Sequence, residues 1–279
     1  MSERPSIEEE RNAALLSWYA DHQRSLPWRG SSDPYVVLVS EMMLQQTQVS
    51  RVVDHFERFV ALFPTVGDLA AATFTEVLAA WVGLGYNTRA KRLHEAARRI
   101  AEEGWPTDAA GLEDLPGVGP YTAAAVASFA FGQQIAAVDT NQRRVLSRWH
   151  GEVLSGSGLD AVVQRHLPSD AAAWNQAVMD LGALVCRPHR PACDVCPVVD
   201  WCAGPEIYAP PRPQGRFEGS VRHARGTIVR TLVRHPTTFD ELSEATGLAP
   251  DDLEDVLLGL EDDGLIVVDT PDGTIRIAD

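Results

Sequence analysis

The amino-acid sequence lacks the features that mark membrane and secreted proteins. It contains no run of about 18 apolar residues, which excludes a membrane-spanning helix. Its first residues, MSERPSIEEERN, are polar and acidic and do not form the apolar segment of a secretion signal. Internal repeats and low-complexity tracts are lacking too. We therefore expect a cytoplasmic protein with no membrane partner, long enough at 279 residues for two or three domains.

Lysine is nearly absent: Lys91 is the only lysine, and the other 23 basic residues are arginines. A high genomic GC content and an acidic surface adapted to a salt-rich cytoplasm would both produce this bias. The formal charge of −15 is unevenly distributed, because residues 240–279 contain 13 acidic residues and one basic residue, a net of −12. Residues 1–239 therefore carry a net charge of only −3 and are free to hold a basic face.

Apolar residues recur with the helical period over the first 200 residues, and β-type alternation is rare, which predicts a mainly α-helical protein. Asp33-Pro34 is a typical helix start, an acidic cap followed by proline. The helix that it opens, YVVLVSEMMLQQTQ, is apolar in its first half and should be buried there. The other helices predicted in this region are Asn12–His22, Val49–Leu62, Val66–Ala72, Thr75–Val82, Thr88–Glu103, Tyr121–Phe131, Asn141–Trp149 and Ala171–Val185.

After Cys202 the sequence becomes rich in proline and glycine, which predicts a linker over residues 206–221. Three helices and two strands are then predicted within residues 222–279, the strands being LIVVD and TIRIA around Pro271-Asp272-Gly273. This order of elements is typical of a winged helix, a small α+β domain. The three helices are predicted at His223–Val233, Thr238–Ala245 and Pro250–Asp262.

All four cysteines lie within 17 residues, with the spacing Cys186-x6-Cys193-x2-Cys196-x5-Cys202. In an intracellular protein this clustering favours a metal site over disulfide bonds. A four-cysteine zinc knuckle, the alternative, usually has two C-x2-C pairs, whereas only one pair here is that tight. The spacing therefore favours a [4Fe–4S] cluster with four thiolate ligands.

The segment LPGVGPYTAAAV, residues 115–126, places a Gly-Val-Gly turn directly before an alanine-rich helix. Gly117, Val118 and Gly119 can present backbone amides to a phosphate group at the helix N-terminus, where glycine also removes side chains from the surface. A plain turn between helices is the alternative. Followed by VDTNQRRV and the four-cysteine loop, however, the segment resembles the helix-hairpin-helix DNA glycosylases of the endonuclease III superfamily. The resemblance extends over residues 24–202, about two thirds of the chain.

The resemblance implies a two-lobed helical fold. Residues 25–131 would form a six-helix lobe with the hairpin, and residues 1–24 with 132–205 would form a lobe that holds the cluster, which is structural or redox-sensing in this superfamily. Members that nick the DNA strand carry a lysine at the position of Tyr121. Since tyrosine stands there and Lys91 is the only lysine, we expect a glycosylase with little or no lyase activity.

Two carboxylates are candidates for the chemistry. Breaking an N-glycosidic bond needs one group to protonate the leaving base and another to stabilise the cation or activate water. Glu41 lies in the apolar helix, where a carboxylate resists ionisation and suits a general acid, although a residue on a polar stripe of the helix is the alternative. The string SEMMLQQTQV around it resembles the motif of MutY-type adenine glycosylases, with Glu41 as the catalytic acid.

Asp139 follows an apolar stretch and precedes a predicted helix, so it also fits an ordinary helix cap. The resemblance places the catalytic aspartate of the superfamily here, facing the developing positive charge, and Asn141 at a residue that helps to position this chemistry. Thr140 is a departure, because adenine glycosylases usually have glycine there and VDT is closer to the endonuclease III form.

The resemblance also predicts the residues around the base, each of which would otherwise be assigned to core packing. Trp28 and Arg29, in LPWR, would line the adenine pocket, and Asp180 would lie close to the purine. Gln46 would enter the duplex when the base is flipped. Tyr86 would be an aromatic wedge beside the lesion, although the family's second tyrosine is replaced by the asparagine that follows.

The function implied is excision of a flipped adenine from A·8-oxoguanine or A·G mispairs in double-stranded DNA, by a monomer associated with the nucleoid. A thymine glycosylase acting on G·T mismatches is an alternative, which Gln45-Gln46 and Tyr86 disfavour. A non-catalytic iron–sulfur DNA-binding sensor or regulator is another, which the presence of Glu41 and Asp139 disfavours.

The C-terminus departs from the family pattern, because MutY-type proteins usually end in a Nudix-like domain that recognises 8-oxoguanine. Residues 222–279 predict a winged helix instead, which leaves the selection of the opposite base open. The last 40 residues carry a net charge of −12 and lack the basic footprint of DNA binding. A protein-binding role and a structural role adapted to salt are therefore the alternatives to DNA binding.

Overall fold

The computed structural model describes residues 5–210, 215–269 and 273–279, and over these ranges the protein is mainly α-helical, as predicted. The helices of the described residues are α1 Ile7–His22, α2 Pro34–Leu44, α3 Val49–Leu62, α4 Val66–Ala71, α5 Phe74–Trp81, α6 Thr88–Glu103, α7 Ala109–Glu113, α8 Pro120–Phe129, α9 Thr140–His150, α10 Gly156–His166, α11 Ala171–Leu184, α12 Val221–Leu232, α13 Phe239–Thr246 and α14 Pro250–Asp262. Two short 3₁₀ segments, Cys193–Val195 and Val199–Trp201, follow α11, and the strands are β1 Ile266–Asp269 and β2 Thr274–Ile277. No helix in these described ranges is long and apolar enough to cross a membrane.

Local capping signals explain where many helices begin. Helices α1, α4, α5 and α13 start with a capping box, in which a Ser or Thr hydroxyl and a Glu or Asp carboxylate each accept a backbone N–H of the other residue. Proline occupies the first turn of α8 and α14. The predicted bounds of α3, α6 and α14 coincide with the observed ones.

Helix α2 is shorter than the sequence predicts. The prediction continued the helix through Gln48, whereas α2 ends at Leu44. Gln46 has a left-handed backbone with a φ of 56°, which an α-helix does not contain. Helices α7 and α10 were not predicted; α7 has only five residues, and α10 begins with Gly-Ser-Gly, a poor helix former.

The described residues divide into two compact units. The first comprises residues 5–37, 107–113 and 118–210, and the second comprises residues 38–106, 114–117, 215–269 and 273–279. These bounds differ from those of the lobes implied by the resemblance, which stay a prediction. The predicted linker also stays a prediction, and residues 211–214 of it lie outside the described residues.

The core of the first unit lies between helices α1, α9, α10 and α11. Leu15, Leu146, Trp174 and Val178 are each fully buried there. The indole N–H of Trp174 donates to the side-chain oxygen of Asn12 at 3.0 Å, so this large buried ring leaves no polar atom unpaired. A smaller cluster joins the alanine-rich helix α8 to α11.

The second unit has two cores. In the first, α4 and α5 pack on α6 and α3 packs on α5, with the Phe59 and Trp81 rings edge to face at 6.0 Å. In the second, α12, α13 and α14 pack on one another and on the antiparallel hairpin β1–β2, in which Ile266 pairs with Ile277. These elements have the predicted winged-helix-like order, although Pro271 and Asp272 of the predicted hairpin turn lie outside the described residues.

The winged-helix-like module contacts helices α5 and α6 within the second unit. The hydroxyl and backbone N–H of Thr75 donate to the carboxylate of Asp279, at 2.6 and 2.8 Å. The only lysine, Lys91, donates from Nζ to the backbone carbonyl of Asp263 at 3.2 Å. The acidic C-terminus is therefore held on the helical part of this unit.

Candidate functional site

The Gly-Val-Gly turn connects α7 to α8, which pack against each other in the first unit. Gly117 has a left-handed φ of 76°, and a Cβ there would lie 2.7 Å from the Cβ of Arg92 and 2.9 Å from Cε of Met42. Glycine is thus required at this position for two separate reasons. Gly119 is the N-cap of α8 and has no side-chain oxygen to satisfy the first amides of the helix, while Val118 between the glycines is buried.

Tyr121 lies in the first turn of α8, as predicted. It is partly buried and packs against the small cluster formed by Ala124, Ala125, Ala137 and Met179. An aromatic ring therefore packs here against a cluster that includes Met179 of α11. The resemblance assigns a nucleophilic lysine to this position in the strand-nicking members of the superfamily.

Asp139 is the N-cap of α9 and is partly buried. Its Oδ1 accepts the backbone N–H of Gln142 at 2.7 Å, and its Oδ2 accepts the side-chain amide of Asn141 at 2.8 Å. Burial raises the pKa of Asp139, and these two hydrogen bonds act in the opposite direction. The structure shows Asp139 as a helix cap, and it also shows a hydrogen bond to Asp139 from Asn141, the residue that the resemblance assigns to positioning.

A chain of hydrogen bonds continues from Asn141 to the cysteine loop. Arg144 donates from Nη2 to the side-chain oxygen of Asn141 at 2.9 Å and from Nε to the backbone carbonyl of Cys186 at 2.9 Å. A Cβ at Gly182 would lie 2.7 Å from the Cβ of Asn141, so glycine allows α11 to approach α9 at this point. The orientation of the Asp139 carboxylate is thereby linked to the first residue of the cysteine loop.

Asp180 is completely buried in α11 and is paired with two arginines. Its carboxylate accepts Nε of Arg24 and Nη2 of Arg29, each at 2.7 Å, and the backbone N–H of Arg24 at 2.9 Å. Arg29 also donates to the hydroxyl of Tyr19 at 3.2 Å, while the neighbouring Trp28 is buried. The structure thus brings three predicted pocket residues, Trp28, Arg29 and Asp180, into one region of the first unit.

Glu41 lies in the second half of α2 and is only 6% exposed. Leu38, Val39, Met42 and Met43 around it in the sequence are all buried, as predicted. This carboxylate therefore lies in an apolar part of the helix and is not on a solvated stripe.

Gln46 and Tyr86 share an unusual backbone conformation. Gln46 has a φ of 56° and Tyr86 a φ of 49°, in the left-handed region that residues other than glycine rarely occupy. Tyr86 is 37% exposed, which is high for a large aromatic residue. The two residues predicted to enter the duplex are thus both held in strained, accessible loops.

The four cysteines are free thiols that line a single cavity in the first unit, with Trp149, Leu181 and Val185 among its apolar walls. Arg148 is buried beside them and donates from Nη1 to Sγ of Cys186 at 3.2 Å. Among the described residues, no three His, Cys, Asp or Glu side chains form a group that would hold a single metal ion. The cavity therefore gathers four sulfur donors between apolar walls.

A family model described as HhH-GPD superfamily base excision DNA repair protein matches residues 39–153. The adenine DNA glycosylase of Mycobacterium tuberculosis (strain H37Rv) is 42% identical over 251 residues, which covers 83% of this chain and 82% of that protein. The adenine DNA glycosylase of Mycolicibacterium smegmatis is 41% identical over 279 residues, covering 95% and 94%. The chain belongs to the HhH-GPD superfamily.

The solved structure of a thermostable thymine-DNA glycosylase matches 70% of this HhH-GPD chain and 95% of its own, with a TM-score of 0.66 and 30% sequence identity. The family and the helical fold predicted from the sequence are therefore confirmed. Because the match to the Mycolicibacterium smegmatis protein covers 95% of the chain, the similarity also extends into the winged-helix-like module.

The structure places the predicted site residues of this HhH-GPD protein in both units. Those in the first unit are Trp28, Arg29, Val118, Gly119, Tyr121, Asp139, Asn141, Asp180, Cys186, Cys193, Cys196 and Cys202, and those in the second are Glu41, Gln46, Tyr86 and Gly117. Sequence reasoning missed four arginines that hold them: Arg24, Arg89, Arg144 and Arg148. No local signal could have found these roles, since each arginine also donates to an acceptor at least 38 residues away in the sequence.

Proposed function

We propose that this protein is a monofunctional adenine DNA glycosylase of base excision repair. It hydrolyses the N-glycosidic bond of an adenine flipped out of an A·8-oxoguanine or A·G mispair in double-stranded DNA. The proposal rests on two carboxylates, the buried Glu41 and the helix-capping Asp139, in a chain that is similar to adenine DNA glycosylases over most of its length.

Glu41 is the proposed general acid. It is only 6% exposed, and in this role its carboxyl group gives a proton to the leaving adenine. Asp139 is proposed to face the sugar as the positive charge develops. Burial raises the pKa of Asp139, the hydrogen bonds from Gln142 and Asn141 oppose this effect, and the same two bonds hold the carboxylate in one orientation.

Arg29 is the proposed polar group of the base pocket. Asp180 already accepts three hydrogen bonds from Arg24 and Arg29, so its proposed function is to fix the position of the Arg29 guanidinium. Trp28, buried beside it in sequence, supplies an apolar ring surface for stacking with a purine.

The enzyme is proposed to have little or no lyase activity, because no lysine is placed to attack the sugar. Tyr121 occupies the family position of that nucleophile. The only lysine, Lys91, is engaged with the carbonyl of Asp263 and lies 3.8 Å from the carboxylate of Glu95. Strand cleavage should therefore require added base.

Cys186, Cys193, Cys196 and Cys202 are proposed to hold a [4Fe–4S] cluster. A single zinc ion needs four donors at about 2.3 Å from one point, whereas a cluster spreads its thiolates over four irons. The observed cavity has four sulfur donors between apolar walls, and the uneven spacing of the cysteines favours the cluster over a zinc ion. When bound, the cluster would supply iron–thiolate bonds that hold the loop, and the Arg148 N–H would stabilise the Cys186 thiolate.

Base release from defined duplexes tests the proposal. Iron-loaded protein is incubated with duplexes containing A·8-oxoguanine, A·G, G·T and A·T, and each sample is divided into a half treated with hot alkali and an untreated half. We expect breaks at adenine only after alkali. Glu41→Gln and Asp139→Asn, which preserve side-chain shape, should bind the same duplexes and release no base.

Each other outcome rejects a specific part of the proposal. Breaks at thymine in G·T would favour the thymine glycosylase instead, breaks without alkali would reject the monofunctional assignment, and no release from any duplex would favour a non-catalytic sensor. The ratio of A·8-oxoguanine to A·G cleavage measures how strongly this chain selects the base opposite adenine.

A further inference from the structure

The loops that contain Gln46 and Tyr86 require contacts that stabilise their backbone conformation. Left-handed backbone at residues other than glycine is unfavourable and persists only where the surrounding structure imposes it. Both loops lie in the second unit, one after helix α2 and the other before helix α6. A single side chain near the start of α6 contacts both of them.

That side chain is Arg89, which is only 7% exposed. Its Nη1 donates to the backbone carbonyls of Met42 and Met43, at 2.8 and 2.9 Å, in the last turn of α2. Its Nη2 donates to the hydroxyl of Thr47 and to the carbonyl of Gly85, both at 3.0 Å. One guanidinium group therefore binds the chain on both sides of Gln46 and directly before Tyr86.

Aromatic contacts add to these hydrogen bonds. The Arg89 guanidinium lies 5.6 Å from the ring centroid of Tyr86 and 5.3 Å from that of Trp81, within the range of cation–π attraction. The indole N–H of Trp81 donates to the carbonyl of Gly85 at 3.2 Å, so it supports the same loop. Burial lowers the pKa of Arg89 to about 10, which leaves the group charged at neutral pH.

We propose that Arg89 is a positioning residue that holds the Gln46 loop and the Tyr86 loop in one fixed arrangement before DNA binds. This inference rests on the proposed function and on the roles that the resemblance implies, in which Gln46 enters the duplex when the base is flipped and Tyr86 is an aromatic wedge beside the lesion. Loops that are fixed in advance do not have to be ordered when the residues insert, so the free-energy cost of base flipping is lower.

The geometry requires arginine and not any cation. Five acceptors from the end of α2 and the two loops surround the guanidinium, and a planar fork with five N–H donors can reach them while it lies within cation–π range of the Tyr86 ring. A lysine has three donors on a single nitrogen and cannot span both loops. Arg89→Lys thus keeps the charge and removes the bridge.

Hydrogen exchange of the DNA-free protein tests the bridge directly. In Arg89→Lys we expect faster amide exchange in both loops, residues 44–48 and 83–87, with unchanged exchange in α9 and α11. Arg98→Lys is the matched control, an exposed arginine on the same helix, and should exchange like wild type. Loosening of only one loop, or equal effects of the two variants, would overturn the proposal.

A second variant covers the case in which Arg89→Lys does not fold. Thr47→Val replaces the side chain with one of similar size and leaves the guanidinium in place. It removes the acceptor of Arg89 and also the 3.3 Å hydrogen bond from the Thr47 hydroxyl to the carbonyl of Gln45. It should speed exchange in residues 44–48 and leave residues 83–87 protected. Wild-type exchange in residues 44–48 would count against the bridge.

Base flipping tests the functional consequence, by the fluorescence of 2-aminopurine placed next to the target adenine and by single-turnover adenine release. Arg89→Lys should lower the release rate constant by up to about 100-fold, the scale of a 1 Å misplacement. Its effect should largely disappear in a Gln46→Ala, Tyr86→Ala background if Arg89 acts through these residues. An equal effect in that background would show that Arg89 acts elsewhere.

The two proposals fail in different ways. If wild type releases no base from any duplex while both loops loosen in Arg89→Lys, the proposed function is wrong. The bridge between the loops is then supported, but the link between Arg89 and base flipping is rejected. If wild type releases adenine and Arg89→Lys releases it at the same rate, the proposed function stands and the positioning role of Arg89 is overturned.

Discussion

The two glycines of the hairpin turn should respond differently to the same substitution, Gly→Ala. At Gly117 the backbone has a left-handed φ of 76°. An added Cβ would also lie 2.7 Å from the Cβ of Arg92, an atom that cannot move without its backbone. The left-handed conformation costs alanine about 1–2 kcal/mol, and overpacking costs about 1–3 kcal/mol. The lower entropy of the unfolded chain returns about 0.4–1 kcal/mol. We expect Gly117→Ala to lower the free energy of unfolding by about 2–4 kcal/mol.

Gly119 is the matched control, because its φ is −94° and no atom lies within 4 Å of an added Cβ. Alanine is a poorer N-cap than glycine, but the unfolded-state gain offsets this, so Gly119→Ala should change stability by less than about 0.5 kcal/mol. Its affinity for duplex DNA should nevertheless fall, since the new methyl group stands where a phosphate would approach the amides of α8.

Thermal melting and DNA-binding titrations at fixed salt measure the two effects separately. At about 2–4 °C per kcal/mol, Gly117→Ala should melt roughly 5–15 °C below wild type, and Gly119→Ala within about 2 °C of it. A Gly117→Ala protein that melts with wild type would refute the close approach. Full DNA affinity in Gly119→Ala would refute the phosphate site at the helix N-terminus.

Three further predictions concern buried polar groups. His166 accepts an Arg11 N–H at 2.7 Å, and burial, assisted by Arg11, lowers its pKa from 6.5 to about 4. Since the unfolded chain binds the proton more readily, stability should be full above pH 6.5 and fall by roughly 3 kcal/mol towards pH 4, and urea unfolding of His166→Gln should lack this dependence. Asp139→Asn should keep the α9 cap and melt close to wild type, because asparagine caps helices as well as aspartate, while adenine release is lost; retained release would exclude Asp139 from catalysis. Asp180→Asn leaves Arg24 and Arg29 without their counter-charge and should cost about 3 kcal/mol in urea unfolding, whereas an unchanged midpoint would show that the arginines find other partners.

The helices and the hairpin could be predicted because their signals are local. A cap, a proline and the helical spacing of apolar residues act over three or four positions, so the bounds of α3, α6 and α14 follow from the sequence. Helix α2 shows where this reasoning fails. Nothing in MMLQQTQ stops a helix by propensity, and α2 ends at Leu44 because Gln46 and Thr47 belong to a loop that Arg89 holds from 42 residues away.

The candidate site divides in the same way. The family, the candidate carboxylates, the four cysteines and the turn at Gly117 could be predicted from the sequence, because each is a residue type in a fixed local pattern. The pairing of Asp180 with Arg24 and Arg29, and the connection of Asn141 to the cysteine loop through Arg144, depend instead on tertiary packing. An arginine has the same composition and propensity whether it lies in solvent or bridges two loops. Its partners are chosen by which acceptors packing brings within about 3 Å, and no short-range pattern records that choice.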